Sequence, residues 1–179
     1  GKPGAVLVGS HVQKTTRQLQ ALLKVAGVTG IEVDVRQLRD GGADARQQLL
    51  SAVLQQVRAA HGQGKTAVVY TSREELTFDS VQARLDFGVE VSTLLMDIVK
   101  GLPDDIGFLI SKGGITSNDT LSTGLSLRTA RLLGQILPGV SIVRTPAHHP
   151  QFPHLPVVLF PGNVGDDDAL ATAYQRLAA

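Results

Sequence analysis

The sequence has no cysteine and no tryptophan, and only 4% of its 179 residues are aromatic. Without cysteine there is no disulfide framework, no thiolate zinc site and no cysteine nucleophile, which fits a reducing compartment and makes the cytoplasm the default expectation. So few rings argue against a stacking platform for single-stranded nucleic acid. A field of one sign is missing as well. Lys and Arg number 17 against 16 Asp and Glu, a net charge of +1, with the two signs interspersed. Nothing therefore draws the chain to nucleic acid or to an anionic membrane, and any anion must be held locally. No run of about 18 apolar residues is present. The first apolar stretch, Ala5 to Val8, is broken at once by Gly9, Ser10 and His11, unlike the core of an export signal.

What is present suits a globular core. Hydrophobic residues make up 42% and charged residues 18%, with mean hydropathy +0.09, and the length fits one domain. Short β-branched runs at Ala5–Val8, Gly30–Val35, Thr66–Tyr70, Gly107–Ile110, Val140–Val143 and Pro156–Phe160 read as strands. They alternate with helical patterns at Gln13–Val25, Ala43–Ala60, Phe87–Val99, Leu121–Ile136 and Ala169–Leu177. The expected fold is α/β: a mostly parallel sheet of about six strands with helices on both faces, in a single three-layer domain. Ligands of such sheets collect at the carboxyl ends of the strands.

Three loops follow strands there. In Gly9-Ser10-His11-Val12-Gln13, Ser10 and Gln13 have capping-box spacing, while the same geometry offers an anion the start of a helix, with Lys14, Thr15, Thr16 and Arg17 one turn on. In Ser111-Lys112-Gly113-Gly114-Ile115-Thr116-Ser117-Asn118-Asp119, two glycines free backbone amides to face a phosphate. The alternative is an ordinary turn with Thr116 and Asp119 as a capping pair. Lys112 precedes the glycines, so this is not the P-loop order. In Pro161-Gly162-Asn163-Val164-Gly165-Asp166-Asp167-Asp168, the ligand contact falls to Gly162 and Asn163. Three carboxylates repel an anion and suit a helix start, which leaves magnesium at Asp166 a weak alternative. His148, His149 and His154 lie among prolines and read as a loop more than a metal site. Ser72-Arg73-Glu74-Glu75 reads as a helix start with Arg73 solvated.

Together, Gly9-Ser10-His11-Val12, Lys112-Gly113-Gly114-Ile115-Thr116-Ser117, Leu133-Gly134-Gln135-Ile136-Leu137-Pro138-Gly139-Val140 and Pro161-Gly162-Asn163-Val164-Gly165 resemble the C-terminal nucleotide-binding domain of the four-carbon acid sugar kinase family. The resemblance covers essentially the whole chain. It implies that Ser10 touches ATP, that Gly113, Gly114, Ile115 and Thr116 wrap it, and that Gly162 completes the pocket. Gly9, Lys112 and Asn163 are further candidate contacts. It also implies Mg²⁺ as cofactor and a preceding N-terminal domain that binds a sugar acid such as threonate, erythronate or a 3-oxo form. The chain then resembles half an enzyme, and its start at Gly1 reads as that of an excised fragment. Such a half is expected to bind ATP or ADP without turnover, leaving the acceptor hydroxyl and its base to the other domain. A homodimer is left open, no metal site of the chain's own is expected, and scarce rings favour aliphatic side chains around the adenine. A non-catalytic nucleotide or phosphate sensor is the alternative. A dinucleotide enzyme ranks last, because only Gly9-Ser10 and the ambiguous Glu32 and Asp34 serve it.

Overall fold

Ala5–Val8 forms β1, a strand buried along its whole length. Its side chains alternate between two cores: Ala5 and Leu7 join one, Val6 and Val8 the other. The computed structural model describes residues 1 to 179, apart from the side chains of Gly114 and Ile115. After β1 come α1 (Gln13–Leu22), β2 (Val28–Val33), α2 (Val35–Asp40), α3 (Ala43–Gly62), β3 (Thr66–Thr71) and α4 (Val81–Lys100). β4 (Leu109–Lys112) leads into α5 (Gly114–Asp119) and a single π-helical turn, Thr120–Gly124. The chain finishes with β5 (Arg131–Leu137), β6 (Val140–Arg144), β7 (Pro156–Phe160) and α6 (Ala169–Ala178).

The sheet has seven strands in the order β2-β3-β1-β4-β7-β6-β5. β2, β3, β1, β4 and β7 run parallel, whereas β6 is antiparallel to both β5 and β7. α1 and α6 pack against each other and cover one face. α2, α3 and α4 cover the other, where Leu94, Leu95, Ile98 and Val99 of α4 are buried beside Val53 and Val57 of α3. The expected three-layer α/β domain with about six strands is therefore the architecture found.

Several local expectations change. Leu121–Ile136 is not a helix: it is the π turn, a loop and most of β5. Its leucines have helical spacing, but Ser126 at φ 52° and Gly134 at φ 132° break any helix. Pro138 and Gly139, the latter at φ 79°, close a two-residue hairpin in which Leu137 pairs with Val140. The strand expected at Gly30–Val35 lies two residues earlier, and the one expected at Gly107–Ile110 two residues later, so that Lys112 ends β4. α2 was not foreseen; Asp34 caps it by accepting from the Arg36 amide at 3.1 Å. α4 begins before Phe87, because Ser80 accepts from the Ala83 amide at 3.0 Å. No helix starts at Ser72.

Leu22, fully buried on the α1/α6 side, tests this packing. Leu22→Ala is expected to cost about 2–5 kcal/mol, read as a lower urea midpoint at unchanged slope.

Candidate functional site

β1 and β4 lie side by side, yet the chain leaves β1 through α1 toward β2 and leaves β4 through α5 toward the opposite edge. The gap between their carboxyl ends is the switch point at which open α/β sheets bind ligands. The loops after β1 and β4 meet there, joined by the turn after β7. The Gly113 amide donates to the Phe160 carbonyl at 2.7 Å, and the Gly9 amide to the Lys112 carbonyl at 3.3 Å.

Ser10 is the meeting point. A Cβ on Gly113 would sit 3.1 Å from the Ser10 Cβ, and one on Gly162 would sit 3.0 Å from the Ser10 Oγ. Gly113 has φ 120°, a conformation that side-chain-bearing residues rarely adopt. A Cβ on Gly9 would collide with the Thr116 Oγ1. Thr15, fully buried, donates to the Gly162 carbonyl at 2.9 Å and lies 3.2 Å from the Ser10 Oγ. The structure thus gathers Gly9, Ser10, Gly113, Thr116 and Gly162 in one place. Asn163 stands exposed in the adjoining turn. Gly114 and Ile115 open α5, and the expectation of ligand contacts from them lies outside the described residues.

The capping readings give way to other contacts. α1 is capped at Val12 without a side-chain bond, while the Ser10 Oγ accepts from the Val12 amide at 3.3 Å. α5 begins after Gly113, so Thr116 is no cap, and Asp119 instead accepts from Ser92 on α4. Buried hydroxyls tie this segment to β4: Ser117 donates to the Ser111 carbonyl at 3.1 Å, and the Thr120 hydroxyl, which donates to the Thr116 carbonyl at 2.7 Å, lies 3.2 Å from the Ser111 Oγ. At the third loop, Asp166 accepts from the Asp168 amide at 3.1 Å, and Asp167 pairs with Arg17 at 3.0 Å. These carboxylates serve the α6 start and the α1 surface. His149 is a strut rather than part of a histidine cluster: Nε2 lies 2.7 Å from the Leu125 carbonyl, and Nδ1 accepts from the Phe152 amide at 2.9 Å.

Two cations border the cradle. Arg73, expected to be solvated, is half-buried, and burial pushes its guanidinium below the usual range. Nη2 donates to the Ser10 carbonyl at 2.6 Å and to the Thr16 Oγ1 at 2.8 Å, while Nη1 is buried without a partner. Lys112 is wholly buried, and its Nζ donates to the Pro161 carbonyl at 2.5 Å. Among the described residues neither cation has a carboxylate partner. Thr15 and Arg73 received no firm role from the sequence. For Thr15 the signal was a hydroxyl in the first turn after Ser10; for Arg73 it was position after a strand on the ligand side.

Beside the cradle lies a cleft of about 550 Å³ that reaches Gly9, His11 and Thr116. Its lining is mixed: Val35, Leu95 and Met96 stand with Phe78 and Phe87, whose ring centroids are 5.2 Å apart, and with the charged side chains of Glu74, Glu75 and Arg84.

Gly113→Ala is expected to cost about 1–3 kcal/mol, because its φ is positive and Ser10 stands in the way. Gly62→Ala, which meets nothing within 4 Å, should leave stability within about 1 kcal/mol of the parent. Parallel thermal and urea unfolding of the two variants checks the contrast.

No curated protein sequence matches the chain; solved structures do. A Bordetella bronchiseptica protein, described as a domain of unknown function and crystallised with citrate as a domain-swapped dimer, has TM-score 0.69 and 20% identity over 99% of this chain and 40% of its own. A Haemophilus influenzae protein of the same DUF1537 family has TM-score 0.65 and 22% identity over 99% and 42%. At this identity the likeness is one of fold, and the chain spans about two-fifths of the length of these proteins. The profile described as the nucleotide-binding C-terminal domain matches residues 5–170, a span that takes in β1 and all three converging loops, and the chain belongs to that family.

Proposed function

We propose that the chain is the ATP-binding part of a kinase that phosphorylates a four-carbon sugar acid of the threonate, erythronate or 3-oxo-tetronate type. The observation that carries this reading is the meeting of three strand-end loops around Ser10, beside the half-buried Arg73 and the buried Lys112, neither of which has a carboxylate partner among the described residues. Backbone amides and fixed cations suit the spread negative charge of a triphosphate. The Nη1 of Arg73, buried without a partner, is a donor that a phosphate oxygen would satisfy. In the adjoining cleft, Leu95, Met96 and two phenyl rings suit the flat faces of adenine, Glu74 and Glu75 offer acceptors to its amino group, and the volume lies in the range of small-ligand pockets, roughly 300–1,000 Å³.

Mg²⁺ would accompany the nucleotide. The Ser10, Thr15 and Thr116 hydroxyls are hard oxygen donors that fit it, with phosphate oxygens and water supplying most of its ligands. When bound, the ion would offset charge on the transferred phosphoryl group. The residues of this chain position the triphosphate. The acceptor hydroxyl and its base would come from a second, substrate-binding domain, in a cytoplasmic enzyme. A carboxylate-bearing acceptor accords with the citrate in the Bordetella protein, and the swapped dimer of that protein makes a dimer of the whole enzyme a natural arrangement.

Calorimetric titration tests the reading. The chain is expected to bind ATP and ADP with Mg²⁺ and to give no phosphorylated product from threonate or erythronate alone. Arg73→Ala is expected to weaken ATP roughly tenfold to a hundredfold, the usual worth of charge-assisted hydrogen bonds. Absence of nucleotide binding, or robust turnover by the chain alone, overturns the assignment.

A further inference from the structure

Lys112 occupies a place where a chain normally puts an apolar residue. It ends β4, pairs in register with Val8 of β1 and Phe160 of β7, and by strand alternation shares the α1/α6 face with Ile110. None of its side chain is exposed. The ammonium donates to the Pro161 carbonyl and lies 4.4 Å from the centroid of the Phe160 ring, two contacts that carry no negative charge. Among the described residues no carboxylate forms an ion pair with it. β1 contributes Val8 and β7 contributes Phe160. α1 contributes Lys14, a second cation whose like charge repels that of Lys112. In the turn after β7, Asp167 is engaged by Arg17 and Asp166 by the Asp168 amide. Arg73, across the Ser10 loop, is a further cation.

A buried ammonium without a counter-ion is costly, and it either sheds its proton or acquires an anion. We propose that Lys112 is the positioning residue of the anion cradle and its proton-linked element: its ammonium fastens the Pro161–Gly162 turn to the end of β4, and a phosphate group entering the cradle becomes its missing counter-ion. This rests on the nucleotide reading above and adds a linkage to it. Burial, and then the charge of Lys14, lowers the Lys112 pKa to about 8. Below that pH the ammonium is charged before the ligand arrives. Above it the amine is neutral, and a bound anion favours its protonation. The solvent then supplies one proton to Nζ, no bond in the ligand changes, and affinity falls as pH rises.

Titration of the chain with Mg²⁺–ATP at pH 7 and pH 9, in buffers of contrasting ionisation enthalpy, reads the linkage. Proton uptake near zero at pH 7 and close to one at pH 9 is expected, with affinity about tenfold weaker at the higher pH. In Lys112→Met the uptake and the pH slope should disappear, and amide exchange at Gly162 to Val164 should quicken in the unliganded protein. Should Lys112→Met fail the check of folding by circular dichroism, proton uptake by the parent chain decides alone. ATP binding without uptake at pH 9, or an unchanged pH slope in a folded Lys112→Met, overturns the role of Lys112 and leaves the nucleotide reading standing. Sulfate, a tetrahedral anion that does not titrate in this range, separates the two. Sulfate bound with proton uptake where ATP fails overturns the nucleotide reading alone, and failure of both ligands overturns both.

Discussion

Everything at the candidate site depends on the parallel pairing of β1 with β4. Their neighbouring carboxyl ends, with chains departing in opposite directions, open a gap in the layer of helices. β7 on the far side of β4 adds a third strand end. Each loop supplies only part of the cradle. Three short loops are held together by one sheet, which fixes the spacing of neighbouring strand ends at about 5 Å. The burial of β1 on both faces makes that spacing rigid, because neither strand can shift without opening one of two cores.

The electrostatics follow from the same geometry. With a net charge of +1, the chain has no long-range field to concentrate anions, so attraction must come from groups fixed at the site. Arg73 and Lys112 are such groups, each half- or wholly buried and each bonded to a backbone carbonyl of the loops. By holding the Ser10 and Pro161 carbonyls these cations shape the cradle as well as charge it. In the third loop Asp167 is paired with Arg17 and Asp166 accepts from the Asp168 amide, contacts that lessen the repulsion an acidic turn offers a phosphate.

Much of the fold was legible in short-range patterns. The short apolar runs Ala5–Val8 and Pro156–Phe160 are the local mark of strands buried on both faces, and the helical spacing around Val53 and Val57 that of a helix covering a sheet. The segment from Leu121 to Ile136 failed because leucines at helical spacing also fit a strand with bulges. The deciding residues were Gly134 and the Pro138-Gly139 turn, whose effect depends on β6 lying ready to pair. The two-residue slip at β4 hid the most informative side chain, since Lys112 looked like part of a loop until the sheet register made it the last residue of a strand.

The sequence by itself determined the alternation of strands and helices, and with it a three-layer α/β domain, together with the small and hydroxyl-bearing residues that can line an anion site. Which of those residues meet was decided only by the tertiary structure. Ser10, Gly113 and Gly162 are far apart along the chain and come within contact because β1, β4 and β7 are neighbours, and strand order is a property of packing that no local pattern encodes. The same is true of charge. Lys112 is one of 17 basic residues in the sequence, and burial without a counter-ion is what separates it from the rest.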